Sequence, residues 1–277
     1  MTRIPALAIP QTAFGRMRRH PFALVRFALV GACVAIATAV APVSPCARLH
    51  AQSAASTPAP TGARAVPDVS DLPLVEVPAR RSGGTTLAIF LSGDGGWADI
   101  DRQIADVLAD HGVGVVGLNS RAYLSQRKSP DQAAADVARI ARAYAARWGT
   151  RRLVVIGYSR GAGMVPFVAT RFAADLRQRT VLLAMLGLER TANFQFHWMD
   201  VMRDASRPDD LAVAPELERL RGQRMLCVFG TEEKDSACRD ADPALITRIA
   251  RQGDHHFDGD YRALGDLILG LLPPGSP

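Results

Sequence analysis

Runs of six or seven mostly apolar residues recur along the chain: TLAIFLS (86–92), VGVVGL (113–118), RLVVIG (152–157), TVLLAML (180–186) and RMLCVFG (224–230). They are apolar almost throughout rather than alternating, as strands covered on both faces must be. Between them the period changes to that of helices. Ile100, Ile104, Val107 and Leu108 line one face of a segment ending at Gly112. Ser129-Pro130-Asp131-Gln132 is a capping-box start for a helix presenting Val137, Ile140, Tyr144 and Trp148, with Gly149 as its stop. Strands alternating with helices of this length predict one α/β domain around a mostly parallel central sheet with right-handed crossovers. Residues 188–222 interrupt the alternation. There Phe194, Phe196 and Trp198 stand two apart, as in a strand or extended cover, and the following RDASRPDDLAVAPELERLRG reads as a polar loop. An insertion at this point could overhang a site; it could equally just pack on the core.

The first 71 residues have a different character. Arg16, Arg18, Arg19 and Arg26 precede the apolar stretch FALVGACVAIATAVAPV, which gives way to small and polar residues. That order predicts a secretory signal over 1–51, with an uncleaved anchor as the alternative because the stretch is at the low end for a membrane span. Residues 52–71, rich in Ala, Ser, Thr and Pro, read as a flexible tether, and 72–277 as the folded domain. Charge follows the same division. The chain carries 33 Lys and Arg against 27 Asp and Glu; the leader holds six arginines and no acid, so the remainder is balanced. The basic pI belongs to the leader, and no basic excess is left to imply a nucleic-acid partner. With Cys33 and Cys46 in the leader, Cys227 and Cys238 remain as a pair that an oxidising compartment would join.

Candidate chemistry centres on Gly157-Tyr158-Ser159-Arg160-Gly161. The G-x-S-x-G pattern alone is weak, but here it follows an apolar strand and opens a helix, the strand-turn-helix setting of a nucleophile elbow. Pro166, inside that helix, predicts a kink or a late start. A serine hydroxyl needs a base, and GDHHFDGDY supplies one near the C-terminus: His255, after the Gly253-Asp254 turn, is preferred to His256, while His111 and His197 read as structural. The orienting acid should lie in the loop after the last strong strand, where TEEKDSAC offers Glu232, Glu233 and Asp235; Asp235 is the choice and Glu233 the alternate. LSGDGGW (91–97), with Gly93, Gly95 and Gly96, occupies the place of an oxyanion loop, so the amides of Asp94 and Arg160 would hold the developing charge. No G-K-[ST] phosphate cradle and no metal-ligand spacing is present, and no cofactor is expected.

In the order and spacing of LSGDGGWADIDRQIADVLADHGVGVVGLNS, SPDQAAADVARIARAYAARWG, GYSRGAGMVPF, the Cys227–Cys238 segment and HHFDGDY, the chain resembles the VirJ domain of bacterial virulence proteins, also found in AcvB, over nearly all of 72–272. It departs from the family in reading Gly161-Ala162-Gly163 where G-A-D is typical, and SRAYLSQRKSP lacks the usual aromatic pair. Neither departure touches the triad; both bear on substrate preference. The resemblance implies a periplasmic α/β-hydrolase with members that release the amino acid from aminoacyl-phosphatidylglycerol. The expected protein is then a serine esterase meeting an ester substrate, an aminoacyl lipid, by peripheral contact with the inner membrane, with Arg160 facing a phosphate and Asp94 or Asp99 an amine. The alternatives are an idle scaffold binding a secretion or envelope partner, and an acyltransferase.

Overall fold

The computed structural model describes residues 66–196 and 208–275. The leader, most of the tether, His197 and Trp198 lie outside the described residues. Seven strands form one sheet: β1 (Leu74–Val77), β2 (Thr86–Leu91), β3 (Gly114–Leu118), β4 (Arg152–Tyr158), β5 (Thr180–Leu186), β8 (Met225–Gly230) and β9 (Thr247–Arg251), in the spatial order β1-β3-β2-β4-β5-β8-β9. All neighbours are parallel except β1, which runs antiparallel to β3. The five continuous apolar runs are the five inner strands, and they are buried nearly throughout. The two strands that the pattern did not disclose, LVEV and TRIAR, are the sheet edges. An edge strand is only partly covered, so it needs no unbroken apolar run, and Arg248 and Arg251 blunt it against further pairing.

Helices cover both faces. On one side α1 (Asp99–Asp110) and α8 (Tyr261–Gly270) pack through Ile100, Ile104, Leu108, Leu264 and Ile268. On the other lie α3 (Pro130–Trp148) and α4 (Arg160–Thr170), through Val137, Ile140, Tyr144, Met164, Val165 and Val168. The α3 start is the expected capping box: Ser129 Oγ accepts from the Gln132 amide at 3.1 Å and Gln132 Oε1 accepts from the Ser129 amide at 2.8 Å. Gly149 ends α3 in the left-handed region at φ 67°. Short helices α2 (Ser120–Tyr123) and α5 (Ala174–Arg179) complete the connections before β5.

One of the two alternatives for Pro166 is closed here, and one expectation is corrected. Helix α4 starts at Arg160 and runs through Pro166, so there is no late start. The proline lies beyond the first turn, where it removes one backbone bond, and the burial of nearly every side chain of α4 outweighs that loss. The stretch read as a polar loop within 188–222 contains structure of its own. Strand β6 (Thr191–Ala192) pairs with β7 (Leu211–Ala212), and α6 (Ala214–Arg219) follows. Val213, Leu217 and Leu220, spaced four and three apart, give this segment a narrow buried stripe among charges. Phe194 packs on the core, edge-on to Phe167 at 5.5 Å between ring centroids.

Candidate active site

Strand β4 delivers the chain to Ser159 and α4 takes it away, within a single residue. Ser159 sits at φ 53°, ψ −119°, a conformation L-residues rarely adopt. Its amide donates to the Leu186 carbonyl at 2.9 Å, which ties the turn to the end of β5. The two glycines of the motif explain how strand and helix come so close. A Cβ on Gly161 would lie 2.0 Å from the Leu91 carbonyl oxygen, and one on Gly157 would lie 2.3 Å from that of Gly161. The serine therefore stands at the N-terminus of an eleven-residue helix, whose first amides and dipole favour negative charge.

The histidine and its acid come from two loops joined at the end of β8. Glu232 donates its amide to the Gly253 carbonyl at 2.9 Å, and Thr231 donates to that of Arg251 at 2.8 Å. Gly230 lets the loops touch, because a Cβ there would fall 2.0 Å from the Asp254 oxygen. His255 Nδ1 is 2.7 Å from Glu233 Oε1, and Glu233 Oε2 accepts the Gly230 amide at 3.1 Å. The imidazole rests on Gly187, where a Cβ would be 2.5 Å from its Cε1. Ser159 and His255 thus flank one corner, Leu186-Gly187, at the end of β5.

The acid beside His255 is therefore Glu233, and the choice of Asp235 is corrected. The Glu233 amide donates to the Gly230 carbonyl at 3.1 Å, a tight turn that folds this side chain back toward the histidine. Two residues later the chain has turned outward: the Asp235 side chain is 90% exposed and its ion pair among the described residues is with Arg190, at 3.4 Å. Arg239 fixes the turn by donating to the carbonyls of Gly230, Thr231 and Glu233. Behind it Cys227 of β8 and Cys238 of α7 (Ala237–Asp240) are disulfide-bonded, with Cα atoms 5.5 Å apart.

Burial works against the charged form of His255, but the hydrogen bond and charge of Glu233, with Glu189 and Asp254 behind it, outweigh burial and raise its pKa above the ordinary histidine value. His256 has other work. Its Nδ1 is 3.1 Å from the Tyr158 hydroxyl and its amide donates to Asp254 Oδ1 at 2.7 Å, so it braces the loop. The turn continues through Phe257 and Asp258 at φ 53° and 51°. With Ser159 these are the non-glycine residues at positive φ among the described residues, so the backbone strain gathers at the elbow and the histidine loop. His111 caps α1, its Nδ1 2.9 Å from the Val107 carbonyl.

The glycine-rich loop passes over Ser159. A Cβ on Gly93 would lie 3.3 Å from that of Ser159, and the Gly96 amide closes the turn on the Gly93 carbonyl at 3.1 Å. Arg160 and Asp94 are brought together, but through their side chains: the guanidinium grips the carboxylate with Nε on Oδ1 and with Nη2 on Oδ2 at 3.2 Å. The Arg160 side chain is only 12% exposed. The pair clasps the loop to α4 and spends the two charges on each other. Asp99 is held on the outer surface of α1 by Gln103 at 2.7 Å and Arg102 at 3.4 Å. A further carboxyl escaped the sequence reading. Asp101 is fully buried, accepts the Ala98 amide at 2.7 Å, and has its pKa pushed up to about 7 by burial, against the effect of that amide. An Asp in a helix's first turn reads as a surface charge, and only the packing of α1 shows otherwise. Among the described residues no group of three or more His, Cys, Asp or Glu could hold a metal ion.

A parallel sheet with one antiparallel edge, a strained serine between β4 and α4, and a histidine supplied from after the last strand define an α/β-hydrolase fold. Solved structures of that fold superpose on it: Est1E from Butyrivibrio proteoclasticus (12% identity, TM-score 0.50, 74% of this chain and 97% of that one) and a probable hydrolytic enzyme from Pseudomonas aeruginosa (17%, 0.50, 72% and 89%). A predicted CIB-like hydrolase from Thermoplasma acidophilum does so as well (13%, 0.50, 74% and 96%). Residues 85–273 match the family described as bacterial virulence protein (VirJ), and the chain belongs to that family. Among proteins of curated description none matches it by sequence.

Proposed function

We propose that the protein is a serine esterase in which Ser159 is the nucleophile, His255 the base and Glu233 the orienting acid. The observation that carries this is the 2.7 Å contact of His255 Nδ1 with Glu233 beside a serine held at φ 53°. With Nδ1 given to Glu233, Nε2 is the nitrogen left for the serine proton. Ser159 Oγ attacks the ester carbonyl as His255 takes its proton, and the oxyanion is held by the amides of Asp94 and Arg160. His255 returns the proton to the departing alcohol. Water, deprotonated by the same imidazole, then releases the acid from the serine. The substrate proposed, on the resemblance to the VirJ domain, is the aminoacyl ester of aminoacyl-phosphatidylglycerol, met in the periplasm at the outer face of the inner membrane. Because Arg160 and Asp94 are paired to each other, the lipid's phosphate and amine are met by other groups than these.

The test has two parts. A fluorophosphonate probe should label the wild-type protein and not Ser159→Ala; a folded wild type that does not label leaves a scaffold without esterase chemistry. Purified protein is then given alanyl- and lysyl-phosphatidylglycerol in vesicles, beside a short-chain p-nitrophenyl ester. Amino acid release that is lost in Ser159→Ala supports the lipid substrate, and cleavage of the soluble ester alone removes it.

A further inference from the structure

At the opposite end of β4 from Ser159, about 23 Å away at the rise of a parallel strand, the surface holds a second concavity of about 620 Å³. Its lining includes Val66, Ala145 and Ala146 together with Arg142, Arg151 and Arg179. One carboxylate, Asp175, opposes them, so the cleft keeps an excess of two positive charges in a domain whose formal charge is balanced. Two of the cations are fixed in place. Arg142 lies fork-on to Asp175, with Nε and Nη2 at 3.1 to 3.2 Å, and Arg179 gives Nε and Nη2 to the carbonyls of Arg151 and Thr150 at 3.0 and 2.9 Å. Arg151 has no ion-pair partner among the described residues. Thr150, also lining the cleft, is buried, and its hydroxyl has no hydrogen-bond partner among them.

A solvated surface arginine needs none of this. Here two of the three guanidinium groups are oriented by neighbours, and all three line one concavity of a volume typical of small-molecule sites. Guanidinium forks match phosphate oxygens, and the apolar side chains in the lining, Val66, Ala145 and Ala146, suit a short alkyl substituent. We propose that this cleft binds a phosphate ester carrying a short apolar body, independently of the chemistry at Ser159. The shared chemistry has two sources, a soluble phosphomonoester or the exposed phosphate of a lipid headgroup.

Titration calorimetry of the full protein with n-hexyl phosphate, with n-hexanol as control, reads the first source. Co-sedimentation with phosphatidylcholine vesicles, with and without phosphatidic acid, reads the second. The variant is Arg151→Glu, whose exposed side chain supports no packing, with Arg151→Ala beside it; an unchanged thermal melt confirms that both fold. Saturable binding of hexyl phosphate, absent for hexanol and weakened at least tenfold in Arg151→Glu, is expected and assigns a soluble ligand. Retention by phosphatidic acid vesicles that depends on Arg151 assigns the lipid. If neither probe shows Arg151-dependent binding, the proposal is overturned.

Discussion

The imidazole of His255 stands between burial, which disfavours its charge, and Glu233, which favours it and prevails. Two consequences follow at the scale of the residue. The base must be neutral to act, so the acid limb of the kcat/KM profile should lie above the ordinary histidine value near 6.5, and Glu233→Gln should move that limb to lower pH. Stability runs the other way. A folded-state pKa raised above the unfolded one contributes stability that is fully present below the unfolded pKa and is lost as pH rises through the folded pKa. Denaturant midpoints of wild type and Glu233→Gln should therefore converge as pH rises across that window, where wild-type activity is increasing. The same position distinguishes the two acids. Glu233→Gln should lower turnover by up to about ten-thousand-fold, as loss of an orienting acid does in other triads, whereas Asp235→Asn, fully solvated, should change it by less than about twofold. Comparable losses in both would mean that the loop rearranges in the working enzyme. His255→Ala should likewise cost several orders of magnitude more than His256→Ala, whose ring meets the Tyr158 hydroxyl and the edge of His255 rather than Glu233.

At the scale of the element, the site depends on how closely four segments approach. Helix α4 meets the end of β2 at Gly161, where a Cβ would be 2.0 Å from backbone oxygen that has no freedom to yield. Gly161→Ala should cost at least the 1–3 kcal/mol of an overpacked core, read from the denaturation midpoint, and should reduce fluorophosphonate labelling of whatever remains folded. The acid loop is held differently, by polar contacts as well as by the disulfide that brackets it. Arg239 satisfies three carbonyls of the 230–233 turn, so Arg239→Ala should lower kcat more than it raises KM, with the acid limb of the pH profile shifting as in Glu233→Gln. A purely structural role for Arg239 would lower the melting temperature and leave the pH profile unmoved. Sequence reading could not have selected this arginine. Its guanidinium reaches back six to nine residues along a turn whose shape is set by the pairing of β8 with β9.

At the scale of the whole molecule, one disulfide among the described residues joins the core to the segment after the Glu233 turn. Cys227 lies on an inner strand and Cys238 on α7, with the 230–233 turn between them. Closing a loop of this length is credited with about 3 kcal/mol by chain-entropy reasoning. Reduction should lower the denaturation midpoint and should impair turnover at denaturant concentrations where far-ultraviolet dichroism is still native; activity and dichroism lost together would show that the link serves the fold only.

The sequence by itself determined the inner strands, the amphipathic helices α1 and α3 with the caps of α3, and the elbow serine. Each of these is written in local pattern: apolar runs for strands buried on both faces, a 3.6-residue period for one-sided helices, glycines where backbones must touch. It also narrowed the histidine to a pair and the acid to one loop. Tertiary structure decided the rest. Edge strands β1 and β9 are defined by what they pair with rather than by their own hydrophobicity. The choice of Glu233 over Asp235 turned on a single backbone turn, because two acids in one polar loop share the same local pattern and only the direction in which the chain leaves β8 makes one of them face His255. The clasp of Arg160 on Asp94 and the burial of Asp101 are of the same kind, since a charge's partner and its solvent are set by residues distant in the chain.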